Sequence, residues 1–508
     1  MPAGSVARPG CPVDSWQISW QAFGRGWANT VTGSILEQLP APQRELSAHL
    51  AQIFARAGQE LYLVGGIVRD ALLHLPFTAD LDYATSAPTG VTQALLEQAG
   101  AVSTYAIGER FGTIGAVFGE VDARSQIEVT TYRREVYPDE TRFPDVVFDA
   151  TLTDDLARRD FTMNAIALDA QSGEVVDPWG GEADIALATV RAVGEPAARF
   201  AEDPLRLLRA ARFVAQLGFR LDWQTEEAMA AEAGSLQRIS HERILAELTR
   251  LLTGEWADHG LDVLRRAGLL RVALPELTGL ADEAETDLSG RLAREKDLWD
   301  HTIRVVAQAP PRPAVRWAAF LHDAAKPRTR SVGLDGEVHF FGHERVGAEM
   351  ARTILERLGA DKALRSRVTA LVELHGRPAA YDASWTDSAV RRLALEAGDA
   401  WDDLLDLAAA DVTSGRERKR QEAARRVAGL RAHADRLAAE ATLAELESPL
   451  DGNDLMRLFT RPPGPWIKSL KELLREAVID GRLQPGDRAT AEAMARDYLA
   501  RTPDPGMS

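Results

Sequence analysis

A single cysteine, Cys11, stands in 508 residues, which excludes an intramolecular disulfide and any cysteine-rich zinc site. That scarcity suits a reducing cytoplasm, where the chain is expected to work. Also missing is an apolar run long enough to span a bilayer, and residues 1–30 lack the basic-then-apolar order of a signal peptide. No membrane partner is therefore expected. Positive charge is short too: 59 Lys and Arg against 76 Asp and Glu leave a net charge of −17, which argues against broad, nonspecific nucleic-acid binding. Basic clusters nevertheless occur at Arg133-Arg134, Arg158-Arg159, Arg206/Arg209/Arg212 and Arg416 to Arg426, and local patches steer ligands whatever the total.

What remains is an ordinary soluble composition, 45% hydrophobic and 27% charged, over a length that suggests about three or four domains. Residues 1–40 show no periodicity and read as a poorly ordered extension.

The stretch from Leu61 to Thr85 organises the rest. An apolar run at 61–64 reads as a buried strand, and Gly65-Gly66 allow a sharp turn and a close approach to a ligand. A helix-like segment carrying Arg69-Asp70 follows, and its first N–H groups suit a phosphate. In Asp80-Leu81-Asp82 the period of a strand sends both carboxylates to one face, where magnesium would relieve their repulsion. An Asp-x-Asp alone is more often a solvated strand end, and a lone Gly-Gly is more often a plain turn. Their order within one strand, helix, strand unit is far more specific.

A helix over 41–58 precedes this unit, and a helix near 91–99 and strands at 114–118 and 126–131 follow it. Gly108-x-x-x-Gly112-Thr113 reads as a tight connection. Glu128 either brings a third carboxylate beside Asp80 and Asp82 or is an edge-strand charge. Residues 135–147 are polar and Pro-bearing, the composition of a flexible loop. In 154–169, Asp154 reads as a helix N-cap, Asn164 falls one turn past Asp160 if that helix persists, and Arg158 and Arg159 offer guanidinium forks to a triphosphate. In 202–213 a helical reading spaces Asp203, Arg206, Arg209 and Arg212 along one side, with Leu205, Leu208 and Phe213 toward a core. The same pattern describes a plain amphipathic surface helix. A carboxylate and a guanidinium one turn apart can also hydrogen-bond a base edge.

Farther on, His301, the pair His322-Asp323 ending an apolar helix, His343, His375 and Asp411 recur through helical sequence. Any one histidine is more often packed or capping than a ligand. Residues 416–440 read as a long charged helix with a solvated face, and Gly464-Pro465 as a helix start.

In order, LVGGIVRD, DLDYAT, IEVTTYR, RRDFTMNAIA, EDPLRLLRAARF and HERILAELTRLL closely resemble the class II bacterial tRNA nucleotidyltransferases, the CCA-adding enzymes and their poly(A) polymerase relatives. The resemblance covers roughly residues 45–505. It implies that Asp80 and Asp82 bind catalytic Mg2+ with Glu128 beside them, that Gly65, Gly66, Arg69 and Arg159 hold the triphosphate, and that Asp203 and Arg206, supported by Arg209 and Arg212, read CTP and ATP. The partners implied are tRNA, CTP and ATP, and the reaction is attack by the tRNA 3′-hydroxyl on the α-phosphate. The second constellation resembles an HD phosphohydrolase domain, implying His301, His322, Asp323 and Asp411 as metal ligands, with His343 and His375 available for a second metal or a substrate phosphate. Imidazole with carboxylate suits nickel, manganese, iron or cobalt better than magnesium alone. The implied substrate is a phosphomonoester or a 2′,3′-cyclic phosphate.

The fold class expected is α+β and multidomain: a nucleotidyltransferase βα head at 41–190, a helical neck for nucleotide selection at 191–285, an HD domain at 286–415, and a helical body and tail at 416–508 that grips tRNA, after the extension at 1–40. The function expected is CCA addition with HD phosphohydrolase activity. A-only addition stays open beside it. The loop at 135–147 argues against CC-only addition, and no basic-aromatic signature of the GRRFR type follows the carboxylate pair as a poly(A) polymerase would have it. A chain that is chiefly an HD hydrolase is the reading from another class. Oligomeric state stays unknown.

Overall fold

The computed structural model describes residues 35–76, 81–107, 112–119, 124–136, 145–282, 298–333, 338–413, 417–440 and 448–501. Asp80, Gly108 and most of the expected extension lie outside these residues. The chain divides into two units, residues 1–214 with 218–238, and residues 215–217 with 239–508.

The first unit is built on a seven-stranded sheet. Its strands are β1 (Leu61–Val64), β2 (Leu81–Thr85), β3 (Ser103–Ile107), β4 (Thr113–Phe118), β5 (Ser125–Thr131), β8 (Ala167–Asp169) and β9 (Val175–Val176), in the order β3-β4-β5-β2-β1-β8-β9. Between β5 and β8 in the chain come β6 (Arg134–Val136) and β7 (Asp145–Val147), which pair with each other alone. The central strands are rich in β-branched and aromatic residues, and Leu63, Val64, Leu81, Tyr83, Ile127 and Val129 are buried. One pairing in the sheet is parallel, β2 with β5, and the remaining ladders are antiparallel.

Four local expectations change. Residues 35–38, inside the bounds expected for the extension, form a helical turn with Ile35 buried. The 135–147 segment is not loop throughout: residues 134–136 pair with 145–147, because valines at both ends favour extended pairing. The N-cap of the helix Leu152–Ala157 is Thr151; Asp154 is its N3 partner, and its Oδ2 accepts the Thr151 N–H at 2.8 Å in a capping box. That helix stops at Ala157, and Thr162–Asn164 is a 3-10 turn. The edge strand β3 went unread because its sequence, STYAI, is mostly solvent-facing and carries no apolar run.

The second unit is mostly helical, with one short antiparallel pair, Ser331–Val332 with Val338–His339. Trp299, Trp317 and Phe320 are fully buried, with Trp299 meeting Phe320 edge to face at 6.3 Å. The helices Leu298–Gln308, Pro313–Leu321, His343–Arg357, Lys362–Leu374 and Trp401–Ala410 each turn an apolar face to this core. The helix Glu417–Glu440 is the long charged one expected. Pro465 opens Pro465–Ile479 at its first position, and Leu455, Leu470, Leu474 and Ala491 form a separate small core there. Among the described residues no helix is long and apolar enough to cross a membrane.

Candidate functional site

In the first unit β1 ends at Gly65, whose φ of 78° and ψ of −136° lie where residues with a Cβ rarely go. A Cβ there would sit 3.2 Å from Arg159 Nη1 and 4.0 Å from Asp82 Oδ2. Three expected site residues therefore meet across one turn: a glycine, a guanidinium and a carboxylate. Asp82 is exposed on β2, and its register partner on β5 is Glu128. Side-by-side partners project to the same face, so the third carboxylate is brought beside the second, and Glu128 is not an edge charge because β5 lies inside the sheet. This oxygen-rich face fits a hard cation such as magnesium.

The arginines are held in detail. Asp155, fully buried, accepts Arg158 Nη2 at 2.7 Å and Arg159 Nη2 at 3.3 Å. Arg69 donates from Nε to Asp70 at 2.8 Å and from Nη1 to Asn164 Oδ1 at 2.9 Å, and a Cβ on Gly66 would lie 3.6 Å from Arg69 Nη2. Asn164 Nδ2 donates to Asp160 Oδ1 at 2.9 Å, so the expected Asp160 and Asn164 pairing forms without the continuous helix. Arg209 donates to the other Asp160 oxygen from Nε at 2.8 Å. Burial alone would raise the Asp160 pKa, but Arg209, Asn164 and the Phe161 N–H outweigh it and hold the carboxyl down to about 2.

The expected base-reading residues do not share one helix. Pro196–Glu202 ends before Asp203, which is extended at φ −136°, and a second helix, Leu205–Leu217, begins after Pro204. Asp203 Oδ1 accepts the Leu205 N–H at 3.1 Å. Arg206 and Arg212 are buried, which rules out a plain surface helix. Arg206 Nη2 donates to the Arg158 carbonyl at 2.7 Å, and Nη1 donates to Glu202 Oε2 and to the Arg199 carbonyl, each at 3.0 Å. The guanidiniums of Arg69, Arg209 and Arg212 lie over the Phe213 ring at 5.2, 5.6 and 4.0 Å. Asp155 and Glu202 had escaped notice as anchors, although their spacing of three or four residues to these arginines is visible in the chain.

The second constellation closes completely within the second unit. His301 Nε2 lies 3.0 Å from Asp411 Oδ1, 3.4 Å from Asp323 Oδ2 and 3.3 Å from His322 Nε2. His322 Nε2 is 3.2 Å from Asp323 Oδ2. The other Asp323 oxygen, Oδ1, is buried without a hydrogen-bond partner and faces His343 Nε2 at 3.6 Å and His375 Nε2 at 4.0 Å. One carboxylate thus stands between two triads, His301/His322/Asp411 and Asp323/His343/His375, each close enough to hold an ion. Nδ1 of His322, His343 and His375 donates to the carbonyls of Ala319, Phe340 and Val372 at 2.8, 2.9 and 2.7 Å, and His301 Nδ1 meets Thr413 Oγ1 at 2.8 Å. Every Nε2 is thereby aimed at the centre, as metal-ligating imidazoles require. The donor set, four imidazoles with two carboxylates, fits a transition metal.

Charge at this centre is tightly coupled. Burial would lower the His322 pKa, but Asp323 and Asp411 outweigh it and push it up to about 10. Burial and the neighbouring His322 charge bring His375 down to about 4. Burial opposes ionisation of Asp323 and Asp411, yet the imidazoles hold both below the usual carboxylate range. Sequence reading missed Lys326, whose Nζ lies 2.7 Å from Asp323 Oδ2; its place three residues after Asp323 was the available signal.

Three family descriptions match in succession: "Poly A polymerase head domain" over residues 61–191, "Probable RNA and SrmB- binding site of polymerase A" over 218–280, and "HD domain" over 288–440. A CCA-adding enzyme of Geobacillus sp. (strain WCH70) is 32% identical over 439 residues, 85% of this chain and 92% of the relative. An A-adding tRNA nucleotidyltransferase of Deinococcus radiodurans is 35% identical over 459 residues, 87% of this chain and 96% of the relative. Among solved structures, the Bacillus stearothermophilus CCA-adding enzyme in complex with CTP is similar with a TM-score of 0.65 and 27% identity, covering 91% of this chain and all of the other. The Thermotoga maritima CCA-adding enzyme complexed with tRNA shares the fold at a TM-score of 0.56 and 16% identity, over 92% of this chain and 98% of the other.

Proposed function

Since the chain belongs to the class II CCA-adding and poly(A) polymerase family of nucleotidyltransferases with an HD domain, we propose that it adds C and A nucleotides to tRNA 3′ ends from CTP and ATP, releasing pyrophosphate. The observation that carries this reading is the meeting of Gly65, Arg159 and Asp82 at the end of β1, with Glu128 beside Asp82. Arg159 and Arg69 hold the triphosphate while the Gly65 backbone lets it approach. Asp80 and Asp82, with Glu128 adjoining, would hold magnesium, which when bound would supply charge neutralisation at the α-phosphate and a lowered pKa for a hydroxyl beside it. Asp203 and Arg206 present donors and acceptors to the base edge, for which Arg206 exchanges at least one of its present carbonyl bonds. No covalent protein nucleophile is needed; positioning supplies most of the rate.

Three tRNAs ending before, within and after CC, each offered single nucleotides and sized on a gel, test this. Addition of C to the shortest acceptor followed by A is the expected result. A-only addition is the second reading, favoured by the Deinococcus relative of similar identity, and failure to add C to the shortest acceptor would select it.

The head is assigned to residues 41–190, the neck to 191–285, the HD domain to 286–415, and the body and tail, with the tRNA grip, to 416–508. The HD domain is proposed to hydrolyse a phosphomonoester or 2′,3′-cyclic phosphate. The two neighbouring triads, with Asp323 of the second facing the histidines of the first through Oδ2, support this reading. His301, His322, Asp323 and Asp411 would hold one ion, and His343 and His375 with Asp323 Oδ1 either a second ion or the substrate phosphate. Nickel, manganese, iron or cobalt, when held there, would supply Lewis acidity and a nucleophile at neutral pH. Release of phosphate with one of these metals, lost in His322→Ala, is expected; no release with any of them would leave the domain without hydrolase activity.

A further inference from the structure

Asp160 joins residues that the transferase reading treats separately. Its Oδ2 accepts Arg209 Nε at 2.8 Å, and its Oδ1 accepts Asn164 Nδ2 at 2.9 Å, while Asn164 Oδ1 accepts Arg69 Nη1 at 2.9 Å. The residue before Asp160 is Arg159, whose Nη1 stands at the Gly65 turn. On the other side of Arg159, the carbonyl of Arg158 accepts Arg206 Nη2 at 2.7 Å. Arg206 and Arg209 are three residues apart on the helix Leu205–Leu217, so one face of this helix holds the chain on both sides of Arg159, through the Arg158 carbonyl and the Asp160 side chain. Phe213, one turn after Arg209, lies beneath Arg69 and Arg209 alike and packs edge to face on Phe161, the residue after Asp160. Arg209 commits two of its three guanidinium nitrogens, Nε and Nη2, to the Asp160 carboxylate, which fixes the direction of the fork, and breaking that pair would strand a buried charge, which is strongly disfavoured.

We infer that Asp160 and Arg209 are positioning residues for the triphosphate, setting Arg159 directly and Arg69 through Asn164, and that Arg209 takes no part in choosing the base. This inference rests on the transferase reading above, and it assigns Arg209 to the phosphate side of the site. The ligand it concerns is the polyphosphate itself, irrespective of the nucleoside attached.

Magnesium tripolyphosphate, which has no base, separates the two roles. Its affinity for the full-length protein is measured by displacement of labelled CTP, together with KM and kcat for CTP and ATP. Arg209→Lys keeps the charge but loses the paired contact, and the double variant Asp160→Asn/Arg209→Gln removes both charges together, so that no buried ion is stranded; melting curves check that each is folded. Both are expected to weaken tripolyphosphate on the order of tenfold, and to raise KM for CTP and ATP by the same factor, leaving their ratio unchanged. Asp203→Ala, in contrast, should alter the CTP to ATP ratio and leave tripolyphosphate binding intact. Unchanged tripolyphosphate affinity in the folded Arg209 variants, or a shift in their CTP to ATP ratio, overturns the inference. A wild-type protein that binds neither tripolyphosphate nor CTP would instead overturn the transferase reading beneath it.

Discussion

Lys326 reaches back one helical turn to Asp323, placing its Nζ 2.7 Å from the carboxylate oxygen that His301 and His322 also face. A cation bound at the first triad therefore shares Asp323 Oδ2 with a resident ammonium group. Lys326→Met should raise the affinity of metal-stripped protein for Mn2+ by about tenfold, roughly 1.4 kcal/mol, by removing that competition. Titration calorimetry measures it, and equal or weaker binding would show that the lysine does not compete.

The carboxylate face of the head should be intolerant of deletion. Asp82→Ala and Asp80→Ala are expected to abolish nucleotide incorporation while leaving circular dichroism and melting unchanged. Glu128→Gln keeps the shape beside Asp82 but removes a charge, and should lower kcat with a smaller effect on KM. Near wild-type incorporation by either Asp variant would sink the assignment.

Gly65→Ala tests the turn at the end of β1. The backbone there, at φ 78° and ψ −136°, is hard for alanine to adopt, and the new methyl would meet Arg159 Nη1 at 3.2 Å. A loss of about 1–3 kcal/mol in stability is expected, seen as a lower urea midpoint, together with weaker CTP binding. Gly180→Ala is a control at positive φ with nothing within 4 Å of the added carbon, and should leave CTP binding unchanged.

Asp160 should make the head sensitive to acid. Its folded pKa, about 2, is below the ordinary carboxyl value, so the unfolded chain takes up the proton first as pH falls. The stability it confers, about 2 kcal/mol, is fully present above roughly pH 4 and disappears as pH drops toward 2. Urea midpoints between pH 5 and 2 should fall less steeply in Asp160→Asn/Arg209→Gln than in wild type. Parallel slopes would mean that other carboxyls dominate the acid response.

Much of this was legible in the chain because local physics writes it there. The strand at 61–64, the glycine turn and the helix after it are dictated by apolar periodicity and backbone freedom, and they appear within a residue or two of their expected places. His322-Asp323 at the end of an apolar helix was equally plain. What stayed hidden depends on long-range pairing or on breaks in a pattern. Pro204 interrupts an otherwise continuous helical spacing, so Asp203 leaves the face shared by Arg206 and Arg209. Thr151 takes the cap that Asp154 alone appeared to offer, since either residue type can begin a helix and only the reciprocal pair of bonds distinguishes them. That Arg209 would spend its guanidinium on Asp160, 49 positions away, is visible only once the chain is folded.

The parallel pairing of β2 with β5 has a consequence for how the head comes to life on the ribosome. Asp82 and Glu128 become neighbours only when the whole excursion through β3 and β4 has been made and folded back, since parallel strands need a crossover between them. A nascent chain that has emerged only as far as β4 carries the glycine turn and Asp82 but not the strand that completes the acidic face. The acidic face is therefore completed only with the closure of this non-local ladder, which is the slow kind of contact to form, and Arg159, Asp203 and Arg206 follow it in the chain. During refolding, activity should therefore appear no earlier than the β2/β5 pairing.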